Sequence, residues 1–225
     1  MQILFEDYEL VVCVKPRGVA SEGDGDGDMP RLLSRYREEK GEVGEVYPVH
    51  RLDKETAGVM VYAKTREAAA RLSEGIQNKT VKKEYLAVTS GIPDLPSATL
   101  TDLLYRDSKK NKSYVVKRMR RGVREARLSY RTVSAIDGRA LLYVLLDTGR
   151  THQIRVQMSH RGLSLVGDRR YGGVPAPTLA LFAFRLSFLH PKDKRPLSFA
   201  ALPEGEDAFL PFASAIRALL TDESK

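Results

Sequence analysis

The chain has 225 residues, 42% hydrophobic and 29% charged, with a net charge of +8. That size and balance suit one sizeable domain or two small lobes and exclude wholesale disorder. No apolar run approaches the ~20 residues needed to span a bilayer, and MQILFEDYELVVCVKP lacks the basic and apolar regions of a secretory leader; a cytoplasmic protein without a membrane partner is expected. A single cysteine, Cys13, excludes an intrachain disulfide, and the four scattered histidines predict no metal.

Residues 8–14 (YELVVCV) predict a strand in which Cys13 is a small buried hydrophobe, and Lys15-Pro16 ends it in a turn. SEGDGDGDMP (21–30) invites comparison with a calcium loop through Asp24, Asp26 and Asp28. The sixth position, however, is Met29 rather than Gly, and the twelfth is Arg35 rather than Glu. It reads as a flexible acidic loop leading into a helix from Pro30 to Lys40. YPVHRLDKETAGVMVYAK (47–64) then sets Asp53 between Arg51 and Lys54, ahead of a period-two run with Val59, Val61 and Ala63 on one side and Met60 and Tyr62 on the other. Thr65 is placed to cap a helix through Gln77 with Ala68, Ala69, Leu72 and Ile76 on one face. KKEYLAVTSG predicts a strand closed by Gly91.

From Arg106 to Arg131, eleven Lys and Arg face only Asp107 and Glu125, a net of +9, so the rest of the chain sums to about −1. A charge run is commonly a solvated face. This one holds Tyr114 and Tyr130 and follows Tyr105, and cations interleaved with rings suit a nucleic-acid backbone and its bases. SYRTVSAIDGRALLYVLLDTG predicts a hairpin around Asp137-Gly138, a dipeptide suited to a type I′ turn. TGRTHQIRVQMSHRG predicts a helix capped by Thr151 and stopped by Gly162, with Ile154 and Met158 on one face and His152, Arg155 and Ser159 pointing elsewhere. LALFAFRLSF and PLSFAAL predict two strands about the turn HPKDKRP, and DAFLPFASAIRALL an amphipathic closing helix. The fold class is α+β with a mixed, mostly antiparallel sheet.

Asp53 has two readings. One is a structural ion pair at a loop–strand junction; the other is a carboxylate kept ionised by cations, a nucleophile or general base. Spacing does not choose between them. HRLDKETAGVMVYAK, however, resembles the signature of the RluA-type pseudouridine synthases, HRLD-x-x-T-S-G followed by a strand. ILFEDYELVVCVKPRGV is similar to the family's opening, a strand ending in Lys-Pro-x-Gly. KKEYLAVTSG resembles its second motif, and LLDTGRTHQIRVQMSHRGLSLVGDRRYGG its third, down to the Gly-Asp and Tyr-Gly tail. Four segments in family order, from Ile3 to Gly173, make the resemblance specific.

The resemblance implies the pseudouridine synthase catalytic fold: a single domain over residues 1–225, with two lobes sharing a bent sheet, a central basic cleft and no S4 domain in front. It implies conversion of uridine to pseudouridine in ribosomal or transfer RNA without a cofactor, and a monomer is expected. Asp53 takes the catalytic aspartate position. Tyr85 maps to the tyrosine packed on the target base, and Arg155 to the arginine that ion-pairs with that aspartate. Arg51 is implied to face the RNA space vacated by the base, and Gly149, Arg150 and Thr151 the pocket rim near phosphate. Lys117, Arg118, Arg120 and Arg121 are the expected RNA-gripping cations of the basic segment. His50 and His152 read as hydrogen-bonding scaffold. Ala57 departs from the usual Ser, leaving Gly58 as the turn residue, and Gln157 stands where His is common. The rival readings are an RNA-binding or folding factor with a vestigial site, and a hydrolase using Asp53 and His50.

Overall fold

A computed structural model describes residues 1–221 other than Asp24 and Asp26, so those two carboxylates of the acidic loop lie outside the described residues. In chain order the first elements are β1 (Gln2–Glu6), β2 (Leu10–Lys15), α1 (Met29–Glu39), β3 (Tyr47–Pro48), β4 (Ala57–Ala63), α2 (Arg66–Gln77) and β5 (Lys82–Thr89). There follow β6 (Ser97–Asp107), β7 (Lys112–Val116), β8 (Val123–Ile136), β9 (Arg139–Leu146), α3 (Gln153–Ser159), β10 (Leu181–Leu189), β11 (Pro196–Ala200) and α4 (Ala213–Thr221). The fold is α+β with a mixed, mostly antiparallel sheet. Two compact units divide the chain: Met1–Lys83 with Ala183–Ala201, and Glu84–Phe182 with the segment from Leu202 onward. No helix among the described residues is long and apolar enough to cross a membrane.

In the first unit β2 pairs antiparallel with β1 and β4, β3 pairs with β4, and β11 pairs with β10. Leu10, Val11, Val12 and Cys13 are fully buried, and every residue of β4 is buried, because its alternating positions are apolar on both faces. Asp28, the described aspartate of the acidic loop, is a helix cap: its side chain accepts from the Arg31 N–H at 3.0 Å and the Gly25 N–H at 2.9 Å. Thr65 caps α2 by accepting from the Ala68 N–H at 3.1 Å. Gly58 differs from expectation. It lies inside β4 at φ +130°, where a Cβ would stand 2.2 Å from the carbonyl oxygen of Ala183. Close approach of β10, and not a turn, demands glycine there; the turn lies upstream, closed by the Thr56 N–H on the Asp53 carbonyl at 2.9 Å.

In the second unit β9 pairs antiparallel with β5 and β8, and β6 with β8 and β7. Asp137 and Gly138 both take positive φ, 50° and 71°, as the predicted hairpin requires. Leu100, Asp102, Leu104 and Arg106 alternate onto one face of β6, opposite Leu128, Ala126, Arg124 and Ser113 respectively. The basic segment is therefore ordered: it runs through the end of β6, β7, an exposed 117–122 connection and the first part of β8.

Two helical expectations are corrected. Thr151 does not cap α3: the residue before the helix is His152, in left-handed geometry at φ 55° with no side-chain cap bond. Gln153 organises that entry instead, its Oε1 accepting from the Arg150 N–H at 3.0 Å and the Thr148 hydroxyl at 2.7 Å. Nor is α3 one-sided: Gln153 through Met158 are all buried, Arg155 among them. The closing helix is interrupted, with a 3-10 turn over Asp207–Phe212 preceding α4 because Pro211 has no N–H to donate.

Candidate active site

In the first unit, Asp53 sits on a loop that the Lys-Pro-Arg-Gly segment clamps from below. Gly18 N–H and Lys15 Nζ both donate to the Lys54 carbonyl, at 2.8 and 3.3 Å, and Arg17 donates to that of Glu55. Lys15 Nζ also reaches the carbonyls of Pro16 at 2.9 Å and Val19 at 2.7 Å. One residue upstream, the Ser21 hydroxyl holds both polar groups of the Leu52 backbone, donating at 2.8 Å and accepting at 2.9 Å. Short polar contacts thus fix the backbone on either side of Asp53, and β4 behind it is a rigid apolar support.

Lys15 is fully buried. Burial, helped by the Arg17 charge, pushes its ammonium down to about 8, while Asp53 works in the opposite direction and holds the charge on. Lys15 is thus a cation within electrostatic reach of Asp53. Arg51, 53% exposed, pairs with Glu22 at 2.7 Å. His50 Nε2 accepts from the Val61 N–H at 3.2 Å, and burial together with the Lys83 charge pushes the ring down to about 3, so it is neutral at any physiological pH. A neutral, buried imidazole that receives a strand N–H is scaffold.

In the second unit, Tyr85 is a buried residue of β5 opposite Val144 on β9. Arg155 is gripped by a carboxylate of its own unit: Nε to Asp168 Oδ2 at 2.7 Å and Nη2 to Asp168 Oδ1 at 2.8 Å. Asp168 Oδ1 also accepts from the N–H groups of Arg170 and Tyr171 at 3.1 and 3.2 Å. The Tyr171 ring lies 5.3 Å from the Arg155 guanidinium carbon, while its hydroxyl accepts from the Ser113 N–H at 2.8 Å and meets His152 Nδ1 at 3.0 Å. Gln157 donates to Asp102 at 2.7 Å, and Arg161 Nη1 donates to the same carboxylate oxygen at 2.9 Å.

A depression of about 250 Å³ opens beside this cluster, lined by Leu104, Arg106, Ser113, Arg124, Arg150 and Thr151 among others. It gathers two of the expected RNA-contact residues, Arg150 and Thr151, but Lys117, Arg118, Arg120 and Arg121 are exposed on the 117–122 connection outside it. Arg120 is stacked on Tyr105, 5.2 Å from the ring centre. Sequence reasoning missed Lys15, Asp168, Arg106 and Arg124 as individuals. A lysine ending an apolar strand was a usable signal for the first; the arginines needed the register of β6, β7 and β8.

The profile of the RNA pseudouridylate synthase family matches residues 9–160. The chain belongs to this family. The matched span holds Lys15, Asp53, Tyr85 and Arg155, while Asp168 and Tyr171 lie beyond it. The chain is 38% identical over 180 residues to ribosomal large subunit pseudouridine synthase D of Yersinia pestis, covering 79% of this chain and 54% of that protein. To the protein of the same name from Nitrosomonas europaea it is 34% identical over 225 residues, covering 93% of this chain and 64% of the other. It thus spans between about half and two thirds of the length of these relatives. Human RNA Pseudouridylate Synthase Domain Containing 4 has the same fold, with a TM-score of 0.77 at 26% identity, covering 96% of this chain and 93% of that one.

Proposed function

We propose that this chain is an RNA pseudouridine synthase that isomerises a uridine in ribosomal RNA, with Asp53 as its reactive carboxylate. The observation that carries the reading is the family match over residues 9–160, a span that holds Asp53, Tyr85 and Arg155. The names of the bacterial relatives favour ribosomal RNA of the large subunit over transfer RNA. The reaction breaks the bond from N1 of the base to the sugar, turns the base within the pocket and rejoins it through C5. The C5 proton leaves and N1 gains one, so atoms balance without a cofactor.

Each group has a part in that chemistry. A uridine in folded RNA leaves its stack before its glycosidic bond is reached, and Arg51, half exposed and steered by Glu22, faces the space it vacates. Tyr85 packs on the extruded base. Arg155 has its plane set by the two-pronged bond from Asp168. Asp53 attacks the sugar carbon, adds to the base or removes a sugar proton; all three roles need the ionised carboxylate. The cytosol is the compartment this reading requires. Pseudouridine mapping of ribosomal RNA from cells with and without the gene tests it: the expected result is a site that vanishes with the gene, and an unchanged map contradicts it.

A further inference from the structure

Three arginines from three separate segments converge on the depression of about 250 Å³ in the second unit, and no carboxylate among the described residues lines it. Strand register dictates two of them. Arg106 follows Leu104 on one face of β6, Arg124 stands opposite Leu104 on β8, and Ser113 stands opposite Arg106 on β7. The third arrives on the loop before α3, which is tied down where it crosses: the Ser113 hydroxyl donates to the Thr151 carbonyl at 2.6 Å, and Arg150 Nε donates to the Glu125 carbonyl at 2.9 Å. The Glu125 bond uses Nε of Arg150, and neither Arg106 nor Arg124 has an ion-pair partner among the described residues. Guanidinium groups held together without a counter-charge repel one another, and an anion relieves the repulsion. Planar forks suit the oxygens of a phosphate.

We propose that this depression seats one backbone phosphate of the RNA, held jointly by Arg106, Arg124 and Arg150; the inference rests on the RNA-synthase reading. A polyanion is favoured over free phosphate because the 117–122 connection, which joins the lining strands β7 and β8, carries Lys117, Arg118, Arg120 and Arg121, whose exposed charges extend the stripe beyond the depression. The seated phosphate fixes the register of the strand. The outer cations add attraction without position.

The test compares wild type with R106Q, R124Q and R106Q/R124Q, each confirmed folded by its thermal transition. Binding to deproteinised large-subunit ribosomal RNA is measured across a salt series. One shared phosphate predicts that each single variant and the double variant lose the same increment of salt slope, about 0.7–0.9. Independent surface cations predict that the double variant loses twice as much, and that result, or no loss, overturns the proposal. An NMR titration with inorganic phosphate reads the depression directly: amide shifts at Ser113, Gly122 and Thr151 are expected in wild type and not in the double variant. Phosphate shifts with unchanged RNA slopes identify a free-phosphate site and overturn the RNA assignment. Pseudouridine formation by wild type is scored separately. Its absence beside non-additive slopes sinks the synthase reading but not the phosphate seat; its presence beside additive slopes sinks the seat alone.

Discussion

Arg155 and Asp168 form a buried, two-pronged ion pair, at 2.7 and 2.8 Å with side chains 2% and 0% exposed. The carboxylate is itself satisfied by two backbone N–H groups, and the guanidinium lies over Tyr171. The orientation of Arg155 is thus set within its own unit. Removing one partner of such a pair strands a buried charge, which costs about 3–5 kcal/mol. Asp168→Asn is expected to lower unfolding stability by that order, read as a shifted urea midpoint at constant slope, and to lower kcat more than RNA affinity. A stability change within about 0.5 kcal/mol would show that Asp168 does not hold Arg155.

The Lys15 ammonium offers three N–H groups to three carbonyls beneath the Asp53 loop. Its folded value, about 8, lies below the ordinary 10.5. Between those values the unfolded chain binds a proton that the folded one does not, so this group's contribution makes stability rise with pH there. Function moves the other way: a neutral amine has one N–H fewer and no charge facing Asp53. Activity is expected to fall as pH passes about 8, in step with a side-chain NMR titration of Lys15. A Lys15 midpoint near 10.5 contradicts this.

Two glycine replacements separate crowding from strain. Gly58→Ala places a Cβ 2.2 Å from the Ala183 carbonyl oxygen, so β4 and β10 must part; a loss of about 3 kcal/mol is expected. Gly18→Ala, at φ +81° with no atom within 4 Å, meets only backbone strain, about 1–2 kcal/mol. Equal losses in denaturant melts would remove the close-approach account.

Glu6 is partly buried, which raises its carboxyl, but Lys40, Lys64 and the Tyr36 hydroxyl outweigh burial and hold it at about 2 against an ordinary 4.5. A depressed carboxylate stabilises the fold above its unfolded value and loses that contribution as pH falls from 4.5 toward 2. Glu6→Gln is expected to cost about 1–2 kcal/mol at neutral pH after solvent screening and to flatten the acid limb of a stability–pH curve. An unchanged acid limb would assign that limb to other groups.

Features that depend on neighbours in the chain were legible before the structure. Thr65 capping α2 and the Asp137-Gly138 hairpin are decided within four residues, and both form as read. Features decided across space were not. SATLTDLLYRD receives no element from its sequence, yet it becomes β6, with β7 and β8 paired to its two edges. Thr151 has the chemistry of a cap but not the position, since His152 takes the left-handed turn before the helix. Arg155 carried a motif; Asp168, thirteen residues on, is recognisable as its partner only once the intervening chain folds back.

The central claim, that Asp53 is the reactive carboxylate of a uridine isomerase, is tested most directly by pairing wild type with Asp53→Asn on large-subunit ribosomal RNA. Pseudouridine formed per enzyme in a single turnover is measured alongside RNA affinity. Asparagine fits the same loop but carries no charge, so product is expected to disappear while affinity stays near that of wild type. Undiminished product formation by the Asp53→Asn protein would contradict the account.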